Sequence, residues 1–79
     1  MKIEIFGGGC PKCKATEKNI RKAVEKLDVH AEIIKVEDLQ EIMNRGVIMT
    51  PAVFIDGETK IVGRVPSEEE LEKIIKNRG

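Results

Sequence analysis

Met1-Lys2-Ile3-Glu4-Ile5-Phe6-Gly7-Gly8-Gly9-Cys10-Pro11-Lys12-Cys13 opens the chain, and its reading decides the fold. Residues 2–6 alternate and are rich in isoleucine, which suits a strand. Three glycines break it. Pro11 fits the first position of a helix, where its missing N–H is not needed. From there to about Asp28, Cys13, Thr16, Ile20, Ala23, Val24 and Leu27 recur at steps of three and four, one face of a helix. The two cysteines thus stand at a strand-to-helix junction.

Working outward, residues 31–36 read as a second strand. A short helix follows, with Leu39, Ile42 and Met43 on one side and Gly46 as its stop. Residues 52–55 form a third strand, Asp56-Gly57 signals a hairpin, and Lys60 to Val62 return as the fourth strand. Ser67 caps a final helix, with Glu70 completing a capping box and Leu71, Ile74 and Ile75 as the buried stripe. The first two strands flank a helix and should be parallel, joined by a right-handed crossover. The expectation is an α/β fold of order β-α-β-α-β-β-α, a four-stranded mixed sheet flanked by three helices. Residues 1–79 leave room for one domain, since a chain this size buries only about 60% of its unfolded surface.

Lysine plus arginine balance aspartate plus glutamate at 14 each, which argues against a nucleic-acid binder. Tryptophan and tyrosine are absent and only Phe6 and Phe54 are aromatic, so little surface exists for base stacking. The N-terminal apolar run contains Glu4 and is too short for a signal peptide, and no segment approaches the roughly 20 apolar residues of a membrane span. A cytoplasmic, monomeric protein without membrane contact is expected. Charged residues at 35%, abundant isoleucine and a single glutamine fit a thermophile source.

Two cysteines three positions apart cannot staple distant parts of a fold; in a reducing compartment such a pair is catalytic or metal-binding. The thiolate is the nucleophile, and a helix N-terminus favours it through unpaired N–H groups and the macrodipole. Cys10 falls at the cap, with Lys12 and Lys14 adding positive charge nearby. Cys13 begins the apolar stripe and should face the core. Cys10 would therefore attack a disulfide and Cys13 would resolve the mixed disulfide. Pro51, preceded by Thr50, either starts a strand or forms a cis peptide in a constrained turn.

These features together resemble the thioredoxin fold, especially the small thioredoxin-like and glutaredoxin-like redox proteins of archaea and bacteria. The match runs from the first strand through Cys10-Pro11-Lys12-Cys13, Thr50-Pro51, the hairpin and Gly63 to the last helix. It implies a cis Pro51 packed against the cysteines and a Thr50 backbone that pairs with an extended substrate. It implies that Gly9 and Gly63 border the substrate groove, with Gly63 giving a partner close backbone access. Glu4 falls six residues before Cys10, where thioredoxins place a buried aspartate that handles the proton. A buried Glu4 would have a raised pKa and could carry it; an ordinary strand residue is the other reading. The chain departs from thioredoxins in Gly9 and Pro-Lys, and from glutaredoxins in Arg64-Val65-Pro66 after Gly63. The activity implied is exchange with protein disulfides, without a cofactor, on electrons from a separate disulfide reductase.

Two other classes compete. Heavy-metal-associated domains also set Cys-x-x-Cys at a helix start and carry Cu(I) on two thiolates. They place a methionine where this chain has Gly8, and they end in a strand. A non-catalytic thiol-sensing module would present the same cysteines. Met43 and Met49 read as core fillers, His30 as an exposed turn residue, the charged side of the first helix as a solvated face, and the glycines as a flexible loop.

Overall fold

The computed structural model describes residues 1–77. Its elements run β1 (Lys2–Phe6), α1 (Pro11–Leu27), β2 (Glu32–Val36), α2 (Leu39–Asn44), β3 (Ala52–Ile55), β4 (Glu58–Val62) and α3 (Glu68–Lys76). The sheet order is β2-β1-β3-β4. β1 pairs parallel with β2 and antiparallel with β3, and β3 pairs antiparallel with β4. Order, strand count and helix count match the sequence expectation. The fourth strand begins earlier, at Glu58, because Asp56 and Gly57 both take positive φ (50° and 86°), a turn that lets pairing start at once.

Alternation along β1 and β3 divides the core. Ile3, Ile5, Val53 and Ile55 join Ile20 and Ala23 of α1 and Leu71 and Ile75 of α3 on one face. Phe6, Ala52 and Phe54 join Ile42 of α2 and Val47 on the other. Glu4 lies between Ile3 and Ile5 and shares the second face, opposite Phe54 in the register. No helix among the described residues is long and apolar enough to cross a membrane.

Caps fix where the helices start. Asp38 accepts from the N–H groups of Gln40 and Glu41, and Ser67 from that of Glu70. The capping box at Ser67 is half realised, because the Glu70 carboxylate turns instead to the Arg64 guanidinium at 2.7 Å. Only Ile42 of α2 is buried; Leu39 and Met43 are 70% and 63% exposed, against the expected buried side. Six residues make under two turns, too short to press a full apolar stripe onto the sheet.

Candidate dithiol site

Where β1 ends, Gly7 extends the ladder by donating its N–H to the Val36 carbonyl at 3.0 Å. Its φ is +141°, and a β-carbon there would lie 2.5 Å from Cys13 Sγ and 3.3 Å from Thr50 Cβ. Gly7 is thus no flexible spacer. It is the point against which Cys13 and the Thr50-Pro51 turn both pack, and any side chain would displace the sulfur. Gly9 takes φ +52°, and a β-carbon at that position would meet nothing within 4 Å, so the approach to Cys10 is open.

Cys10 is the N-cap of α1, with extended backbone, and Pro11 opens the helix. The Cys10 sulfur accepts from the Cys13 N–H at 3.2 Å. The two thiols are free, with Sγ atoms 2.6 Å apart and hydrogen-bonded to each other. Their settings differ. Cys10 is half-buried and its pKa is lowered, first by the bond shared with the Cys13 thiol and then by the backbone N–H of Cys13. Cys13 is 5% exposed, and burial, then the hydrogen bond and charge of Cys10, push its pKa up to about 11. Lys12 contributes its backbone N–H to Cys10, so the expected help from lysine charge is replaced by helix amides. Its carbonyl also accepts from the buried Thr16 hydroxyl at 2.8 Å.

Thr50-Pro51 is a cis peptide. Pro51 is buried and Thr50 exposed, beside Gly7 and Cys13. The Pro51 carbonyl accepts from Gly63 N–H at 2.8 Å, which ties Gly63 to the same turn. Gly63 does not offer open backbone, however. Met49 covers it, its Cβ, Sδ and Cε lying 3.0–3.4 Å from where a Gly63 β-carbon would stand. Met49 and Met43 are therefore surface residues at the site, 57% and 63% exposed, and not core fillers.

Glu4 is buried, but it is no candidate proton carrier. Arg45 donates to both its carboxylate oxygens, at 2.8 and 3.0 Å, and this pair holds its pKa below the ordinary value against the pull of burial. The raised pKa expected from burial alone is overturned by a partner 41 residues away. Arg45 also lies over the Phe6 and Phe54 rings, at 5.1 and 5.4 Å. No local pattern flags Arg45; only the fold brings it to Glu4.

Beside the cysteines, on the α2 side, a cavity of about 390 Å³ is lined by Leu39, Ile42, Met43, Val47, Ile48 and Thr50, with Gly7, Gly8 and Glu37 closing its dithiol end. Ile48 is 91% exposed at its rim. The sequence carries a signal for it: Val47, Ile48 and Met49 are three apolar residues between a helix stop and a proline, outside any strand. Among the described residues no group of three or more histidine, cysteine or acidic side chains could hold a metal ion.

The family model described as Thioredoxin domain matches residues 1–76. A curated thioredoxin of Methanothermobacter thermautotrophicus is 45% identical over 95% of this chain and 97% of its own. One from Methanocaldococcus jannaschii is 47% identical over 95% of this chain and 86% of its own. The solved structure of thioredoxin 1 from the thermophilic eubacterium Thermosipho africanus superposes with a TM-score of 0.68 at 29% identity, covering 99% of this chain and 93% of that one. With the mixed sheet, the closing α3 and the cysteine pair capping α1, these likenesses leave one assignment: the chain belongs to the thioredoxin family and is a thiol–disulfide oxidoreductase.

Proposed function

We propose that Cys10 attacks disulfides of protein partners and Cys13 resolves the resulting mixed disulfide, cycling the pair between dithiol and disulfide. The observation that carries this is the split in thiol acidity: one sulfur capped by a helix N–H, the other buried with its proton held. Thiolate at the open position and thiol at the closed one is the order the two steps need. Pro51 and Thr50 shape the groove, with the exposed Thr50 backbone available to an extended peptide. The apolar cavity beside them suits a polypeptide substrate better than a small polar one. The remaining parts of the reading are a monomer acting as one domain over residues 1–79, in the cytoplasm, without cofactor, drawing electrons from a separate disulfide reductase.

Insulin-disulfide reduction tests this with two variants. Cys10→Ser should abolish turnover, and Cys13→Ser should accumulate a mixed disulfide through Cys10. Turnover surviving in Cys10→Ser, or adducts forming at Cys13 in place of Cys10, would refute the assignment of roles.

A further inference from the structure

If Cys13 resolves, its proton must go somewhere, and Glu4 cannot take it. Glu4 is charge-paired to Arg45 and lies on the α2 face of β1. Cys13 packs on the opposite face, where it shares a second cavity, of about 190 Å³, with Ile5. That volume has room for several waters. Its polar lining is Lys14 and Glu17 from α1, Lys35 from β2, and Glu37 just beyond β2.

Glu37 shares this cavity with Cys13, and the strand register brings it to the glycine loop that follows β1. Ile5 pairs with Lys35 and Phe6 with Val36, and the bond from Gly7 N–H to Val36 carries the ladder one step further, setting Gly7 beside Glu37. Cys13 Sγ occupies the space a Gly7 side chain would take. Glu37 Cβ lies 4.0 Å from where a Gly8 β-carbon would stand, so the Glu37 side chain starts from the same glycine loop that the sulfur packs against. Glu17 is held by two cations, Arg21 at 2.8 Å and Lys35 at 3.3 Å. Glu37 has a longer contact, 3.7 Å to Lys35, and opens to solvent.

We propose that Glu37 accepts the Cys13 proton, through cavity water, during resolution of the mixed disulfide. The inference rests on the exchange reading above. In the step, the Cys13 S–H proton passes to the Glu37 carboxylate and the thiolate attacks Cys10 Sγ. The Cys10–Cys13 bond forms, the bond from Cys10 to the substrate sulfur breaks, and the substrate leaves as a thiolate carrying the electron pair. That thiolate is then protonated from solvent, and Glu37 returns its proton to solvent. Lys35 steadies the Glu37 charge between turnovers. The negative charge of Glu37 also raises the Cys13 pKa, which gives the test its leverage.

Reaction of the reduced protein with 5,5′-dithiobis(2-nitrobenzoate) releases one thionitrobenzoate when Cys10 attacks and a second when Cys13 resolves, so stopped flow separates the steps. If Glu37 acts only through its charge, Glu37→Gln lowers the Cys13 pKa and speeds the second phase. As proton acceptor, its loss slows the second phase by roughly tenfold or more, and Glu37→Asp restores part of the rate. A second phase that is unchanged or faster in Glu37→Gln overturns the inference. Absence of the first phase in the wild type would instead overturn the exchange reading.

Discussion

Arg45 changes what Glu4 is for. A carboxyl buried alone in the α2-side core would shed its charge; paired with a guanidinium that also stacks over Phe6 and Phe54, it keeps it. The consequence is a signed pH dependence. Because its folded pKa lies below the unfolded value of about 4.3, Glu4 adds stability above that pH, and the contribution is lost as pH falls through the folded pKa. In Arg45→Met burial is opposed only by the smaller pull of the Lys2 charge, and it raises the folded pKa. That variant should be less stable at neutral pH and should gain stability on mild acidification, the reverse of wild type. Urea midpoints between about pH 7 and pH 4 check this, and parallel pH profiles for the two proteins would contradict it. Glu4 is legible in the sequence as a candidate buried acid from its place in β1. Arg45 is not, since nothing near residue 45 points to residue 4. Gly7 escapes the sequence for a related reason: a glycine run looks like slack until the sulfur packed against it is located.

Helix α1 and the α2 loop make different contributions. In α1 the stripe from Cys13 to Leu27, the Pro11 start and the Cys10 cap are all legible in the sequence, because each rests on neighbours within one or a few turns. In α2 the apolar residues are as visible, yet their burial is not. A helix of six residues with two apolar side chains left over presents them to solvent, and with Ile48 and Met49 they form one exposed apolar surface at the dithiol. Such a patch in a small charged protein marks a contact surface. Ile48→Glu should raise KM for insulin about tenfold or more, since covering an isoleucine is worth roughly 1.5–3 kcal/mol, while kcat falls less. An unchanged KM would remove the loop from the substrate surface.

At the scale of the whole molecule, one sheet keeps two kinds of chemistry apart. Its α1–α3 face holds Cys13 and the polar cavity, its α2 face holds the Glu4–Arg45 pair and the largely apolar groove, and Glu37 stands at the edge where it lines both cavities. Element order, the strand and helix counts and the mixed character of the sheet can be read from the sequence because they follow from period, turn residues and helix ends. The partition of charges between the faces cannot, because it depends on which distant residues share a face once strands alternate. Formal neutrality, 14 cations against 14 anions, conceals this local sorting. The central claim remains the inequality of two sulfurs separated by one helical turn, and alkylation tests it most directly. Initial rates of iodoacetamide labelling at each cysteine, resolved by peptide mass spectrometry across pH, should show Cys10 titrating below the ordinary thiol value of about 8.5 and Cys13 resisting until near pH 11. Labelling at Cys13 first, or one shared midpoint for both, would contradict it.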